Sequence, residues 1–296
     1  MIKLTVCPSG HPRVNMNSGR LTGKVPFKVV SGEPSQCSSR TIAVDIAKFR
    51  AILKTESVAI LVETRSRRPG KCSIGERGVL GPEEDNITLA TAAAQTALNR
   101  SRVPAAEIGA VFLGSGTSPY ATKAAATVLV DALGLPTTAL AVDIQCADKS
   151  GSTALWLAAG MIESGQIDHA LVIAADSMNR HTPPGMVLEY VASAGAVAFV
   201  LGKTDLIASL EVLSTHTCDQ NDYFRTEGER FIQPGAGFYG WVANWGLLEH
   251  VVPAGEGLFA RLDLKPDDFH KFAVPQKTGI QPLMTMGKLG LDMMQV

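Results

Sequence analysis

From Ile74 onward the chain alternates apolar runs of strand length with longer Ala-rich stretches, and this alternation constrains the fold more than any other feature. Ile108–Leu113 is nearly continuously apolar, as expected for a strand that is covered on both faces. The preceding stretch Ile87–Asn99, with Asp85 or Asn86 as its N-cap, suits a helix packed closely on a sheet. The pattern is typical of an α/β protein with a mostly parallel sheet covered by helices.

The alternation divides the chain into three parts. Residues 1–56 contain scattered Pro, Gly, Ser and charge, and the one element predicted there is a helix near Ile42 to Leu53. Residues 57–204 contain most of the regular alternation. Residues 205–296 begin a second, shorter cycle, which includes a strand predicted at Phe269–Val274.

Composition excludes several classes of function. Lys and Arg number 27 against 28 Asp and Glu, and the resulting net charge of −1 disfavours nucleic-acid binding. The five cysteines are scattered without CxxC spacing, so we predict neither a disulfide framework nor a metal site. The same cysteine usage predicts a cytoplasmic location. Because no run of about 18 apolar residues occurs, we predict no membrane span.

The segment Cys146–Ser152 (CADKSGS) carries the strongest signal for chemistry. It joins a strand predicted at Ala139–Gln145 to a helix of small residues at Ser152–Ser164. Backbone N–H groups and the positive end of the helix dipole therefore lie near Asp148. Enzymes often use this geometry.

Seven segments, in order and spacing, resemble the archaeal-type 3-hydroxy-3-methylglutaryl-CoA (HMG-CoA) synthases of the thiolase superfamily. They are EEDNITLA, LGSGTSPYATKAA, VDIQCADKSGSTAL, IAADSMNRHTPPG, LEYVASAGAVAF, FRTEGERF and PLMTMGKLG. Within that branch, DSMNRHTPPG and QCADKSGSTAL are most similar to the HMG-CoA-synthase-like subunit of bacterial monoacetylphloroglucinol acyltransferases. The resemblance, which covers about Ile74 to Val296, implies an α/β, thiolase-like duplicated layered fold with a largely intact first half and a truncated second half.

The resemblance also implies where the reacting groups belong. In this family a cysteine at a helix N-terminus takes the acyl group from a thioester, while a histidine and a glutamate transfer protons. In this sequence Asp148 stands at the cysteine position, Gly116 at the glutamate position and Pro275 at the histidine position, or Ala273 if a gap intervenes. Since these roles act as a unit, the resemblance implies a degenerate active site.

Several residues have two interpretations. Asp148 either orients a thioester without covalent capture or only stabilises its helix. Cys146, which shares a face with Asp148 in an extended segment, is either an alternative nucleophile or a small buried apolar residue. Lys149 and Arg180 are candidate substrate-binding residues for CoA phosphates, or solvated surface cations.

Three functions follow from these interpretations. The first is an HMG-CoA-synthase-like subunit of an acyl-CoA-dependent acyltransferase complex, with acyl-CoA as substrate and no bound cofactor. Its partners would be a second copy, or a thiolase-like subunit and a zinc-ribbon/OB-fold protein. The second is an active HMG-CoA synthase or ketoacyl synthase III-type Claisen-condensing acyltransferase that uses Cys146 or a partner residue. The third is a non-functional gene fragment.

Overall fold

The structure is a computed structural model of the chain, and it describes residues 2–6, 51–54, 59–61, 78–190, 192–235, 245–269, 272–273 and 281–292. The α-helices in these parts are α1 (Asn86–Ser101), α2 (Ala126–Ala132), α3 (Ser150–Glu163), α4 (Met178–His181), α5 (Trp245–Leu262) and α6 (Gln281–Leu289). The strands are β1 (Ile2–Val6), β2 (Ala51–Lys54), β3 (Ala59–Leu61), β4 (Ile108–Gly114), β5 (Leu140–Ile144), β6 (His169–Ser177), β7 (Ala194–Gly202), β8 (Leu206–Leu213), β9 (Tyr223–Phe224) and β10 (Gln233–Pro234).

One mixed sheet holds most of these strands, in the order β1-β8-β2-β7-β6-β4-β5, with β3 also paired to β7. The pairs β4–β5 and β4–β6 are parallel, whereas the pairs from β6 to β1 are antiparallel. The expectation of a mostly parallel sheet therefore holds for β4, β5 and β6 and is wrong for the strands on the other side of β6 in the sheet. The reason is that β7 follows β6 through turns and the short α4, without a crossover helix packed on the sheet.

Helices cover the sheet on both faces. In β4, Val111 and Leu113 belong to a core that α1 and α2 complete. The alternate residues Ala110 and Phe112 belong to a second core, formed with α3 and extended by residues of α5 and α6. The continuous apolar run of β4 therefore reflects burial on both sides, as predicted.

The helix α1 begins where the sequence predicts it. The Asp85 side chain accepts a hydrogen bond from the Thr88 backbone N–H at 2.8 Å, and the Thr88 hydroxyl accepts one from the Asp85 backbone N–H. This capping box satisfies N–H groups that the helix itself leaves unpaired. Four fully buried alanines let α1 lie close to the sheet: Ala90, Ala93, Ala94 and Ala97.

Two other predictions of elements are wrong in the described residues. The helix predicted near Ile42 to Leu53 overlaps β2, which is a strand, while the rest of it lies outside the described residues. Phe269, Phe272 and Ala273 of the strand predicted at Phe269–Val274 are irregular. The rings of Phe269 and Phe272 lie 4.9 Å apart and fill the core beside α5, so the apolar run reflects packing and not pairing.

The division into residues 1–56, 57–204 and 205–296, and the shortened second half, stay predictions. β8, the first strand after residue 204, lies in the same sheet as the strands before it. Among the described residues, no helix combines the length and the hydropathy that crossing a membrane requires.

Candidate active site

The turn between β5 and α3 carries Asp148, and Ser150 fixes its shape. The Cys146 N–H donates to Ser150 Oγ at 2.9 Å, and Ser150 Oγ donates to the Ala147 carbonyl at 2.6 Å. Ala147 has a φ of 47°, in the left-handed region that few residues other than glycine adopt. These contacts involve no atom of the Asp148 side chain.

Two glycines bring the start of α3 against the ends of β4 and β6. A Cβ at Gly114 would lie 2.6 Å from the Gly151 nitrogen, and a Cβ at Gly151 would lie 2.6 Å from the Ala174 Cβ. Both distances are far shorter than a van der Waals contact. Only glycine therefore permits this close approach of helix and sheet.

Asp148 is exposed, and it binds a residue of the hairpin formed by β9 and β10. The Tyr223 hydroxyl donates a hydrogen bond to Asp148 Oδ1. Burial, and after it the negative charge of Asp148, raises the pKa of Tyr223 above its usual range, so the phenol is the proton donor of this bond. The hairpin is thereby held against the turn.

Gly116 lies next to the same turn. A Cβ at this position would be 3.6 Å from Ala147 Cα and 3.8 Å from Asp176 Oδ1, which are ordinary contacts. The structure thus brings together two of the predicted site positions, 116 and 148. Glycine at position 116 itself places no side chain between the turn and Asp176.

Asp176, the penultimate residue of β6, is a site residue that the sequence did not reveal. Its Oδ1 accepts hydrogen bonds from Ser115 Oγ at 3.2 Å, the Gly116 N–H at 2.9 Å and Thr117 Oγ1 at 2.8 Å. Burial raises the pKa of Asp176 from 3.8 to about 6, and the charge of Asp148 adds to this effect, whereas the hydrogen bonds oppose it. One signal pointed to it: an aspartate ending an apolar strand, beside the end of another parallel strand.

A buried asparagine at the start of α1 holds the loop that contacts Asp176. Asn86 Nδ2 donates to Ser115 Oγ and to the Thr117 carbonyl, both at 3.0 Å. The Ser177 N–H donates to Thr117 Oγ1 at 2.9 Å. The loop after β4 is therefore tied to both α1 and β6, and the position of the Asp176 carboxyl is well defined.

The other predicted residues have different surroundings. Cys146 is an exposed free thiol, so its interpretation as a buried apolar residue is wrong. Lys149 is exposed, and its Nζ lies 3.3 Å from Thr215 Oγ1. Pro275 lies outside the described residues, and Ala273, half-buried, offers only a methyl group.

Arg180 follows the Asp176 strand and braces the segment before α1. Its Nη2 donates to the carbonyls of Gly81 at 2.7 Å and Glu84 at 2.8 Å. Arg180 and Arg230 both line a cleft of about 440 Å³ beside this segment. Among the residues that the structure describes, no three His, Cys, Asp or Glu side chains are grouped so as to hold a metal ion.

Comparisons with known proteins agree with the fold. The model of the thiolase N-terminal domain matches residues 71–193. The hydroxymethylglutaryl-CoA synthase of Pyrobaculum neutrophilum is 36% identical over 252 residues, which are 85% of this chain and 70% of that protein. The synthase of Methanopyrus kandleri is 36% identical over 223 residues, which are 75% of this chain and 62% of that protein.

Two solved structures show the same fold. A variant of Xanthomonas campestris OleA has a TM-score of 0.72 at 16% identity and covers 84% of this chain and 83% of that chain. MvaS in complex with 3-hydroxy-3-methylglutaryl coenzyme A has a TM-score of 0.69 at 20% identity and covers 81% of this chain and 63% of that chain. The predicted thiolase-like fold is confirmed, and the chain belongs to the hydroxymethylglutaryl-CoA synthase family of the thiolase superfamily.

Proposed function

We propose that this chain binds acyl-CoA as an HMG-CoA-synthase-like subunit of an acyltransferase complex and forms no acyl-enzyme at position 148. The observation that carries the proposal is Asp148 itself, which lies in the turn before α3 and binds the Tyr223 hydroxyl. Membership in the family supports thioester chemistry. The residue at the turn supports binding without covalent capture.

The chemistry of the carboxylate explains why capture is disfavoured at this position. A carboxylate is a much weaker nucleophile toward a thioester than a thiolate, and its product would be a reactive anhydride. The hydrogen bond from Tyr223 stabilises the charge of Asp148 and weakens it further as a nucleophile. Gly116 adds no group that could transfer a proton.

Cationic side chains near the site support recognition of the CoA phosphates. Lys149 is exposed at the turn, next to Asp148. Arg180 and Arg230 line the cleft beside the segment before α1. Guanidinium groups form strong hydrogen bonds with phosphate oxygens. We propose that the phosphates bind along these residues.

The experiment combines calorimetric titration of the purified chain with acetyl-CoA and intact-mass measurement after incubation. We expect saturable binding and no added acetyl mass on the wild-type chain. The matched variant is Cys146→Ser, which removes the exposed thiol nearest to Asp148 in sequence. If the wild-type chain gains an acetyl group and the variant does not, the chain is an active acyltransferase that uses Cys146 as its nucleophile. If acetyl-CoA does not bind, the proposed recognition of acyl-CoA is wrong.

The edge of the sheet supports a partner. Among the described strands β5 pairs with β4 alone, so its other side is open to another chain. Leu140 of β5 is 45% exposed, and Trp156 and Leu157 of α3 are 39% and 49% exposed. We propose that a second copy or a thiolase-like subunit docks along β5 and α3, and that a zinc-ribbon/OB-fold protein joins the complex.

A further inference from the structure

A cysteine and a histidine lie side by side at the surface, outside the turn that carries Asp148. Cys218 Sγ lies 3.7 Å from Nδ1 and 3.9 Å from Nε2 of His250, close enough for a hydrogen bond to sulfur. Cys218 is an exposed free thiol in the segment after β8, and His250 is half-buried in α5. A nucleophilic atom that is open to solvent therefore contacts a group that can accept its proton.

A backbone carbonyl determines which nitrogen of His250 can act as the base. His250 Nε2 lies 2.7 Å from the carbonyl oxygen of Gln220. Because a carbonyl oxygen can only accept, Nε2 carries the proton of this hydrogen bond. In the neutral ring Nδ1 then holds a lone pair, and Nδ1 is the nitrogen nearer to Cys218 Sγ. A thiol, a base within reach and a third group that orients the base together form the arrangement of an activated nucleophile.

The packing of the segment after β8 along α5 holds this pair in place. The Gly246 N–H at the start of α5 donates to Oδ1 of the buried Asp222 at 2.9 Å. Further along the helix, a Cβ at Gly257 would lie 2.6 Å from Ser214 Oγ, so the segment and the helix are in close contact there. The segment is thus fixed to α5 on both sides of Cys218.

We propose that Cys218 is a modification site that reacts with low-molecular-weight disulfides, with His250 as its base. In this step the S–H bond of Cys218 breaks and an N–H bond forms at His250 Nδ1. The thiolate attacks one sulfur of the small disulfide, a new S–S bond forms, and the original S–S bond breaks. The leaving thiolate takes the proton from His250 and departs as a thiol. The sulfur of Cys218 is oxidised and the departing sulfur is reduced, and the reaction is independent of the proposed binding of acyl-CoA.

The surroundings of Cys218 favour a small disulfide without negative charge as the reactant. Attack on a thioester carbonyl creates an oxyanion that needs hydrogen-bond donors, whereas displacement at a disulfide sulfur creates none. Because Cys218 is exposed, a small disulfide can reach it from solvent. Asp219 follows Cys218 and Glu249 precedes His250, and both of these acidic residues are exposed. Their charges should repel an anionic disulfide.

The test measures how fast Cys218 of the full chain forms a mixed disulfide with 2-hydroxyethyl disulfide, a neutral probe, at pH 7 by peptide mass spectrometry. Cys218 should react faster than free cysteine, and His250→Gln should lower its rate about 10-fold, because an unassisted thiol is only a few per cent ionised at this pH. Gln keeps an N–H for the Gln220 carbonyl, so the thermal midpoint should stay unchanged. The matched control is His216→Gln, which removes a ring 6.2 Å from that of His250 and should react at the wild-type rate.

Two results would overturn the role of His250. One is an undiminished rate at Cys218 in His250→Gln, and the other is an equal loss of rate in His216→Gln. If His250→Gln does not fold, the wild-type chain decides. A rate at Cys218 no higher than that of free cysteine would then refute the proposal, whereas a faster rate supports it.

Discussion

Gly114 ends β4 and Gly116 lies two residues later in the following loop, and the surroundings of each set different limits on a side chain. A Cβ at Gly114 would meet the backbone of Ser150 and Gly151 at 2.6 Å, whereas a Cβ at Gly116 would have its nearest neighbour at 3.6 Å. The first glycine is required for the close approach of α3, whereas a Cβ at the second would make only ordinary contacts. The residue type alone does not distinguish these roles.

The two glycines should therefore respond differently to alanine. We expect Gly114→Ala to lower the free energy of unfolding by about 1 to 3 kcal/mol, because helix and sheet must move apart. Gly116→Ala should change it by less than about 0.5 kcal/mol. Urea unfolding of the two variants provides the measurement, and equal losses would contradict the close approach at Gly114.

Asp176 should make stability depend on pH in a defined direction. Its folded pKa of about 6 lies above the ordinary 3.8, so the protonated form stabilises the fold and this stabilisation is lost as the pH rises from about 4 to above 6. The difference corresponds to about 3 kcal/mol. Asp176→Asn, which stays neutral, should therefore gain stability relative to wild type as the pH rises through this range, as measured by urea unfolding at pH 4 and pH 7.5. A constant difference between the two proteins would contradict the raised pKa.

At the scale of elements, helices and strands with strong local signals follow the sequence. Asp85 caps α1, and Ile108–Leu113 lies within β4. The aromatic run from Phe269 misled the prediction because its side chains fill the core from an irregular segment. Asp176 was missed because its hydrogen-bond partners lie about 60 residues away, brought near by the parallel pairing of β4 and β6.

The capping box of α1 should contribute measurably to stability. Replacement of Asp85 by alanine removes the acceptor of the Thr88 N–H, and we expect a loss of about 1 kcal/mol in the free energy of unfolding. Asp85→Asn, which can still accept that hydrogen bond, is the matched control and should retain most of the stability. Equal losses in the two variants would argue against the cap.

At the scale of the whole molecule, the open side of β5 should govern assembly. We expect the chain to self-associate in multi-angle light scattering, and Trp156→Glu with Leu157→Glu to shift it toward monomer, because charge opposes burial of this exposed face. Leu283→Glu on α6, where the leucine is 48% exposed, is the control and should leave the mass unchanged. If the wild-type chain is itself monomeric, the partner at this edge is a different subunit and not a second copy.

Ser150 holds the turn before α3 through backbone groups on either side of position 148, and this independence has a practical consequence. The contacts of Ser150 remain possible with another side chain at position 148. In a background in which all five native cysteines are replaced by serine, Asp148→Cys should give a thiol acidified by the helix start, alkylated by iodoacetamide faster than free cysteine at pH 7. Ordinary reactivity would mean that the helix start does not activate this position.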